Sequence, residues 1–422
     1  MNRLLTILTI MGCVMLFLLS PPMLELIGWP YLDSGASIIL KIHPAFYLFI
    51  ISAFLIFTYR NGLIRPIIKS SWFLLYSFAA ICLLAKGIYI GLGGVTGGEL
   101  SVAIVSFIIP VLVLMCVPML NSEAMDKAGT SLHAFFAINA VLAISEQIIG
   151  HRFIPSFLDF FPREHRSAAL WGHPLTGALF TGLFIVHLVS MNRKNSSNAV
   201  LFGEIILQVV ALFAYGGRSA LVFTAVTILL SGLLASNNFN KRNYIVRQRI
   251  LPFLMVIIGI IIVFIPIPMI DATIDRFTND GGSAESRNSA LAMLNLITHE
   301  DFLYGITGPH KIMLEKFLHT EAGIELCWIS LILSYGLIVV IPLAIGLPAM
   351  LIGLSARLDR SVAYMSFMFF VVSAGSQGFS SKSTAISQFL VMVLVLGRRQ
   401  RLHTVVAARP VRSEAIMMQS QG

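Results

Sequence analysis

The chain has 422 residues, of which 57% are hydrophobic and only 12% are charged. Soluble domains carry roughly 25% charged residues, so this composition excludes a soluble protein of this size and favours lipid as the solvent. The net charge of +9 is spread over short segments between apolar runs, which argues against a nucleic-acid-binding protein.

Apolar stretches close to the length that a helix needs to cross a bilayer, about 20 residues, recur along the whole chain. We predict membrane spans at 4–20, 43–59, 71–90, 102–120, 131–149, 169–190, 198–214, 219–235, 251–270, 329–354, 362–378 and 383–397. The region 324–354 is too long for one plain span, so we expect a short interfacial helix before a span, with Pro342 and Pro348 available as kinks. The predicted fold class is all-α, a polytopic transmembrane bundle of about 12 helices.

The distribution of basic residues along the chain provides a test of the predicted number of spans. If the N-terminus is cytoplasmic and the spans alternate, about 18 of the 29 lysine and arginine residues fall in short cytoplasmic loops and the C-terminal tail. This bias predicts a multi-pass membrane protein with both termini in the cytoplasm. It also places the loop 150–168 and the long polar stretch 271–323 on the outer face.

Three basic side chains surround the entrance of the predicted span 169–190, on the outer face, where basic residues are disfavoured. They are Arg163, His165 and Arg166, and His173 follows them within the span. Guanidinium groups suit the forked recognition of phosphate oxygens. The alternatives are a phosphate or glycan site and an interfacial loop that pairs with lipid headgroups.

Arg218 follows Gly216 and Gly217 in a very short outer turn between two apolar spans. Glycine allows such a tight turn, which leaves almost no loop to carry the guanidinium into water. An arginine held at the membrane edge either has a partner or ligand or snorkels to the headgroups.

The long polar stretch contains Arg276 and Arg287. After Arg287, apolar side chains recur at helical spacing at Leu291, Leu294 and Ile297. Arg287 is therefore predicted to open an amphipathic helix that lies on the membrane and offers free N–H groups to an anion. The alternative is a solvated loop charge.

Two side chains that can act as a general base, His319 and Glu325, approach the next span from outside. A helix cap or a headgroup contact is the alternative for each. Glu204 lies within a predicted span, so it is a site candidate or pairs with a neighbouring helix. The four cysteines show no C-x-x-C spacing, and we expect neither a metal site nor a cofactor.

Four segments resemble, in the same order, the O-antigen ligase and polymerase superfamily (WaaL and Wzy proteins) of bacterial surface polysaccharide assembly. Residues 166–174 resemble the family's Arg-x-x-Gly-x-x-x-His-Pro entrance to a span. The turn 217–220 (Gly-Arg-Ser-Ala) resembles that of the core domain. Ser286-Arg287, the helical run after them and 305–308 resemble the large periplasmic loop, and 325–338 resembles its closing segment.

The resemblance covers roughly 160–395. It implies N-terminal transmembrane helices in 1–160, a ligase/polymerase-like core in 161–397 that includes the periplasmic loop 271–323, and a basic cytoplasmic tail in 398–422. The implied activity is glycosyl transfer at the periplasmic face from an oligosaccharide on undecaprenyl pyrophosphate. The implied location is the bacterial inner membrane, whose lipid bilayer surrounds the chain. Chain-length regulator and flippase proteins are the protein partners to expect.

By the same resemblance, the basic side chains bind pyrophosphate or glycan: Arg163, Arg166, His173, Arg218, Arg276 and Arg287. Glu325 or His319 accepts the proton of the acceptor hydroxyl. Ligases carry a histidine where Glu325 stands, so this departure favours a polymerase over a ligase that moves glycan to a lipid or protein acceptor. A transporter or flippase, which is not an enzyme, would share the helix number and the basic bias, but would more often show ionisable groups near the bilayer midplane and paired broken helices.

Overall fold

The computed structural model describes residues 2–33, 35–59, 61–92, 98–154, 166–190, 198–236, 283–306, 308–318, 324, 326–376 and 378–407. These residues form an all-helical structure without strands, which confirms the predicted fold class at this level. The predicted span 251–270 lies outside the described residues, as does most of the basic tail.

The helices of the first half are α1 (Asn2–Leu18), α2 (Pro21–Leu26), α3 (Ala45–Tyr59), α4 (Asn61–Ile68), α5 (Ser71–Leu92), α6 (Gly98–Val102), α7 (Ile109–Cys116), α8 (Ser122–Ile149), α9 (Pro174–Ser190), α10 (Asn198–Tyr215) and α11 (Arg218–Ser236). A π-helix, Ala103–Ile108, joins α6 to α7, and short 3₁₀ turns occupy Val117–Met119 and Ala169–Trp171. The helices after the gap are α12 (Ser283–Met293), α13 (His299–Tyr304), α14 (Gly308–Phe317), α15 (Cys327–Tyr335), α16 (Leu337–Arg357), α17 (Arg360–Ala374) and α18 (Ala385–Ala407).

By length and composition, four described helical segments can each cross a membrane: Ser71–Leu92, Gly98–Met119, Ser122–Ile149 and Leu337–Arg357. A fifth crossing is added if the bent pair of α3 and α4 forms one span. The remaining predicted spans that the structure describes correspond to shorter apolar helices. The chain therefore has the helices of a membrane protein, whereas a total of twelve spans remains a prediction.

Helix α8 begins nine residues before the predicted span 131–149. Its first turns carry Glu123, Asp126 and Lys127, and such polar residues lower the hydropathy by which a span is recognised. The start is instead marked by Asn121, whose side chain accepts a hydrogen bond from Ala124 N (2.9 Å) as a helix N-cap.

The long apolar region 324–354 is split into α15 and α16, as expected, but the break lies at Gly336 and not at a proline. Pro342 and Pro348 both lie inside α16. At Gly336 φ is +85°, and a Cβ there would stand 2.4 Å from the carbonyl oxygen of Leu303. Glycine is required because two backbone segments pass too closely for any side chain.

Helix α9 lies at the centre of the bundle, with 13 of its 17 residues buried. It packs against α8 through stacked rings, Phe184 on Phe136 at 4.1 Å between centroids. It meets α10 where a Cβ on Gly177 would lie 2.5 Å from the Tyr215 ring. Small residues thus let neighbouring helices approach closely, as in membrane bundles generally.

The segment after the gap forms a second, smaller core with α15. Its buried members are Ala290, Met293, Ile306, Leu314, Ile324, Ile329 and Leu333. Leu294 and Ile297 pack against this core as partly buried residues, whereas Leu291 is 51% exposed. The predicted helix after Arg287 is present, but its buried side is centred on Ala290 and Met293. This side packs on protein and not on the membrane, because α14 and α15 supply an apolar surface there.

Candidate functional site

The segment 166–171 is held against the end of α8 by a buried carboxylate, Glu146, which is 3% exposed. Its Oε2 accepts hydrogen bonds from Ala168 N (2.8 Å) and Ala169 N (2.9 Å). Its Oε1 accepts one from Phe153 N (3.0 Å). Hydrogen bonds to an ionised acceptor are about twice as strong as neutral ones, so Glu146 orders the backbone on both sides of the loop.

Ala169 has φ +44°, an uncommon conformation for a residue with a Cβ. Such a conformation costs on the order of 1–3 kcal/mol and persists only when surrounding contacts impose it. Here the Glu146 carboxylate binds the Ala169 amide itself. The hydroxyl of Ser167 adds a hydrogen bond to Ala143 O (2.6 Å). The segment that follows Arg166 is therefore rigid.

Arg166 is partly buried, and its carbonyl oxygen accepts a hydrogen bond from Arg152 Nε (2.9 Å). Two arginines thus adjoin at this end of α8. Arg152 is absent from the candidates of the sequence analysis because its predicted loop offers no motif around it. The structure brings it to Arg166 through a backbone contact that sequence cannot show.

Arg218 begins α11 directly after the two-residue turn Gly216–Gly217. Gly216 has φ +62°, and a Cβ on Gly217 would lie 2.4 Å from the Cβ of Ala178. The turn is therefore seated against α9. Ala214 O, just before the glycine turn, accepts a hydrogen bond from Ser167 N (3.2 Å). Because this bond joins the segments that carry Arg166 and Arg218, the two arginines lie at the same end of the bundle. We call Arg152, Arg166 and Arg218 the arginine cluster.

His173 is exposed at the start of α9, and its Nδ1 accepts a hydrogen bond from Leu175 N (3.2 Å). That contact is a cap of the helix, one of the ordinary roles of a side chain at an N-terminus. Gly172 before it has φ +68°, and a Cβ there would lie 2.7 Å from Pro22. The turn sends Trp171 into the core and leaves His173 at the surface.

Arg287 is exposed and is the fifth residue of α12. The helix begins at Ser283, so Arg287 does not open it, and the free N–H groups lie about one turn earlier than predicted. Helix α12 packs on α15, whose first residue, Cys327, donates its thiol to Ala374 O (3.3 Å) at the end of α17. Arg287 therefore belongs to a unit docked beside the connection between α17 and α18.

That connection lies at the same end of the bundle as Gly172. Its Lys382 contacts Tyr31, in the connection between α2 and α3, and Pro22, in the first turn of α2, lies against Gly172. The structure thus places Arg166, His173, Arg218 and Arg287 at one end of the bundle. The other four candidates, Arg163, Arg276, His319 and Glu325, lie outside the described residues.

Glu204 pairs with a neighbouring helix: its Oε1 lies 2.5 Å from His133 Nδ1 on α8. The ring of His187, on α9, lies 6.4 Å from that of His133. The pair belongs to the interior of the helices and not to the arginine cluster. Within the described ranges, no three His, Cys, Asp or Glu side chains are grouped as metal ligands.

In comparison with known proteins, no family model and no curated protein sequence matches this chain. The family resemblance rests on the four segments of the sequence and on nothing beyond them.

Proposed function

We propose that the chain is a membrane glycosyltransferase that polymerises undecaprenyl-pyrophosphate-linked oligosaccharide repeat units at the periplasmic face. The observation that carries this proposal is the arginine cluster, ordered on the buried Glu146 and the seated Gly216–Gly217 turn. Arg166 and Arg218, which the motifs single out, lie near one backbone hydrogen bond, from Ser167 N to Ala214 O, that joins the segments before α9 and α11.

In the proposed reaction, a hydroxyl of the acceptor sugar attacks the anomeric carbon of the donor. The bond from that carbon to the diphosphate oxygen breaks, and the carrier lipid diphosphate leaves. The hydroxyl proton passes to a general base, for which Glu325 and His319 are the candidates. No activating nucleotide is needed because diphosphate is already a good leaving group.

The arginine cluster suits the departing diphosphate. Guanidinium donors match phosphate oxygens in forked pairs and stay charged at any physiological pH. Donors fixed before the reaction stabilise the developing charge without reorganising, and more strongly where water is partly excluded. Arg166 and Arg218 are both partly buried. Arg287 is exposed on a docked unit and suits the glycan or the second phosphate.

The test is the polysaccharide profile of a deletion strain complemented with Arg218→Ala or Arg287→Ala. We expect single-repeat product from both, with normal amounts of protein in the membrane. Arg65→Ala, which removes an exposed arginine of α4, is the matched control and leaves polymer length unchanged. Normal-length polymer from both loop variants would contradict the proposed diphosphate site. Long polymer that stays on the carrier lipid in the deletion strain would indicate a ligase instead.

A second candidate, a transporter of lipid-linked oligosaccharide, is favoured by two observations. His133 and Glu204 form a partly buried ionisable pair between two apolar helices, and such groups within a bundle mark transport pathways. The broken α15–α16 segment is also a transporter feature. The side on which lipid-linked repeat units accumulate in the deletion strain distinguishes the two: outside for a polymerase, inside for a flippase.

A further inference from the structure

Helix α14 carries large apolar side chains on the side that faces away from the protein. Ile312, Met313 and Phe317 are 53%, 60% and 70% exposed. Their spacing places them on one face of the helix, and the exposed Lys316 lies among them. Single exposed apolar residues are ordinary, but a contiguous group of this kind marks a surface that contacts another molecule or a membrane. We call these four residues the outer face of α14.

The opposite side of α14 is fixed to the protein. Leu314 is buried in the second, smaller core. Lys311, one turn earlier on the same side, donates from Nζ to Ser334 Oγ (2.8 Å) near the end of α15. A helix with apolar side chains on two opposite sides contacts two apolar surroundings, and the protein core supplies one of them.

The joint between α15 and α16 sets the position of α14 along the bundle. Ile306 N, just before α14, donates to Leu333 O (2.8 Å) in the last turn of α15. At the joint itself, Leu303 O approaches Gly336, and α16 begins at the next residue, Leu337. Helix α14 therefore lies beside the residues that immediately precede α16.

Helix α16 places this joint at a boundary of the bilayer. It is one of the helices that are long and apolar enough to cross a membrane. Its 21 residues rise roughly 31 Å, close to the hydrocarbon thickness of about 30 Å. At its far end Arg357 stands 5.3 Å from the Trp72 ring centroid, and such basic and aromatic side chains are typical of a membrane surface. The joint, and α14 with it, therefore lies at the level of the opposite headgroups.

We propose that α14 is a membrane-surface helix whose outer face enters the boundary between lipid headgroups and acyl chains. Ile312, Met313 and Phe317 exchange water for acyl chains there, and Lys316 extends to the lipid phosphates. At the same level the exposed side of α16 begins with Ile338, so the outer face continues the lipid-facing surface of a span. The sequence assigned this role to the helix after Arg287, but that helix buries its apolar side in protein.

Contact with the membrane fixes the depth of Arg287. The helix that carries it, α12, shares the smaller core with α14 through Ala290, Met293 and Leu314. The diphosphate of a lipid-linked donor lies among the headgroups, so α14 holds Arg287 at the height of that group. This consequence for Arg287 rests on the proposed function, whereas the membrane contact of α14 does not.

The experiment introduces the photocrosslinking residue p-benzoylphenylalanine at one position at a time in the full chain. The chain is placed in nanodiscs of phosphatidylethanolamine and phosphatidylglycerol and irradiated, and the mass of the intact chain shows whether a lipid has been added. We expect lipid adducts from Phe317→p-benzoylphenylalanine and Met313→p-benzoylphenylalanine. The same replacement of Ile345, which is 56% exposed on α16, is the positive control and gives the adduct. Replacement of Asn288, an exposed polar residue of α12, is the matched control and gives none.

The outcomes distinguish the membrane from other occupants of this face. If neither α14 position gives a lipid adduct while Ile345 does, or if the crosslink joins two copies of the chain, the proposal is overturned. An adduct at Asn288 as abundant as that at Phe317 would overturn it as well, because the outer face would then not differ from a polar surface. The polysaccharide profile reports separately: lipid adducts on α14 together with normal polymer from Arg287→Ala leave α14 on the membrane and remove Arg287 from the diphosphate site.

Discussion

Replacement of Glu146 should disorder the backbone that positions Arg152 and Arg166 without changing either arginine. The carboxylate accepts three backbone N–H groups, those of Phe153, Ala168 and Ala169, and lies between the two ends of the loop that carries Arg152 and Arg166. Glu146→Ala leaves these donors without their acceptor. Glu146→Gln keeps the shape and one acceptor oxygen but replaces the other oxygen with a donor that faces the Phe153 amide.

The magnitude follows from the contacts. Hydrogen bonds to a charged group contribute about 1.5–3 kcal/mol each, so three contribute at least about 4.5 kcal/mol. Desolvating the carboxylate costs several kcal/mol, which leaves a net loss of about 2–3 kcal/mol for Glu146→Ala. Since about 1.4 kcal/mol corresponds to a factor of ten, the equilibrium that favours the ordered loop falls by roughly 30- to 140-fold. Glu146→Gln loses one hydrogen bond, and its remaining hydrogen bonds go to an uncharged oxygen. The equilibrium that favours the ordered loop should therefore fall about tenfold.

Hydrogen exchange measures this directly at the amides of Phe153, Ala168 and Ala169, whose protection should fall by these factors in detergent-solubilised protein. Polymer synthesis should fall by up to the same factor and recover partly in Glu146→Gln. Glu123→Ala, which removes an exposed carboxylate of the same helix paired with Lys127 at 2.6 Å, should change neither. Wild-type protection of the three amides in Glu146→Ala would refute the view that Glu146 orders this loop.

Two further predictions concern the backbone break at Gly336 and the side chain of Lys382. Gly336→Ala should lower the free energy of unfolding by about 3 kcal/mol, because left-handed backbone costs about 1–2 kcal/mol for alanine and the new Cβ meets Leu303 O at 2.4 Å. Gly203→Ala is the control, because a Cβ at that position meets only open space, and it should show no loss of stability in thermal unfolding. Equal stability of the two variants would contradict the close approach of the backbone at Gly336. Lys382 keeps its proton up to about pH 10.4 when unfolded but only to about pH 7 when folded, so the stability that it contributes rises with pH between these values. The melting temperature of the wild type relative to Lys382→Gln should therefore increase from pH 6.5 to pH 9.5 (roughly the ends of this window), and a flat difference would show that folding does not lower the pKa of Lys382.

Hydropathy was sufficient to predict the all-helical fold and the split of the region 324–354, although the break lies at Gly336 and not at a proline. These are local properties, since a stretch of apolar residues must satisfy its own backbone hydrogen bonds in lipid and a helix is the simplest way to do so. Glu204 was predicted either to be a site candidate or to pair with a neighbouring helix, and the structure shows that its partner is His133.

The chemistry of the bundle end depended on tertiary structure. Glu146 sits inside a predicted span, where sequence alone shows a costly charge and not the three amides that it binds. Lys382 and Tyr31 are 351 residues apart, and no local pattern relates them. Which side chains converge depends on which helices meet and in what register, and that is settled by close packing of small residues such as Gly177 and Gly217 against their neighbours. The sequence determined which segments leave water; the packing of those segments decided which charges they bring together.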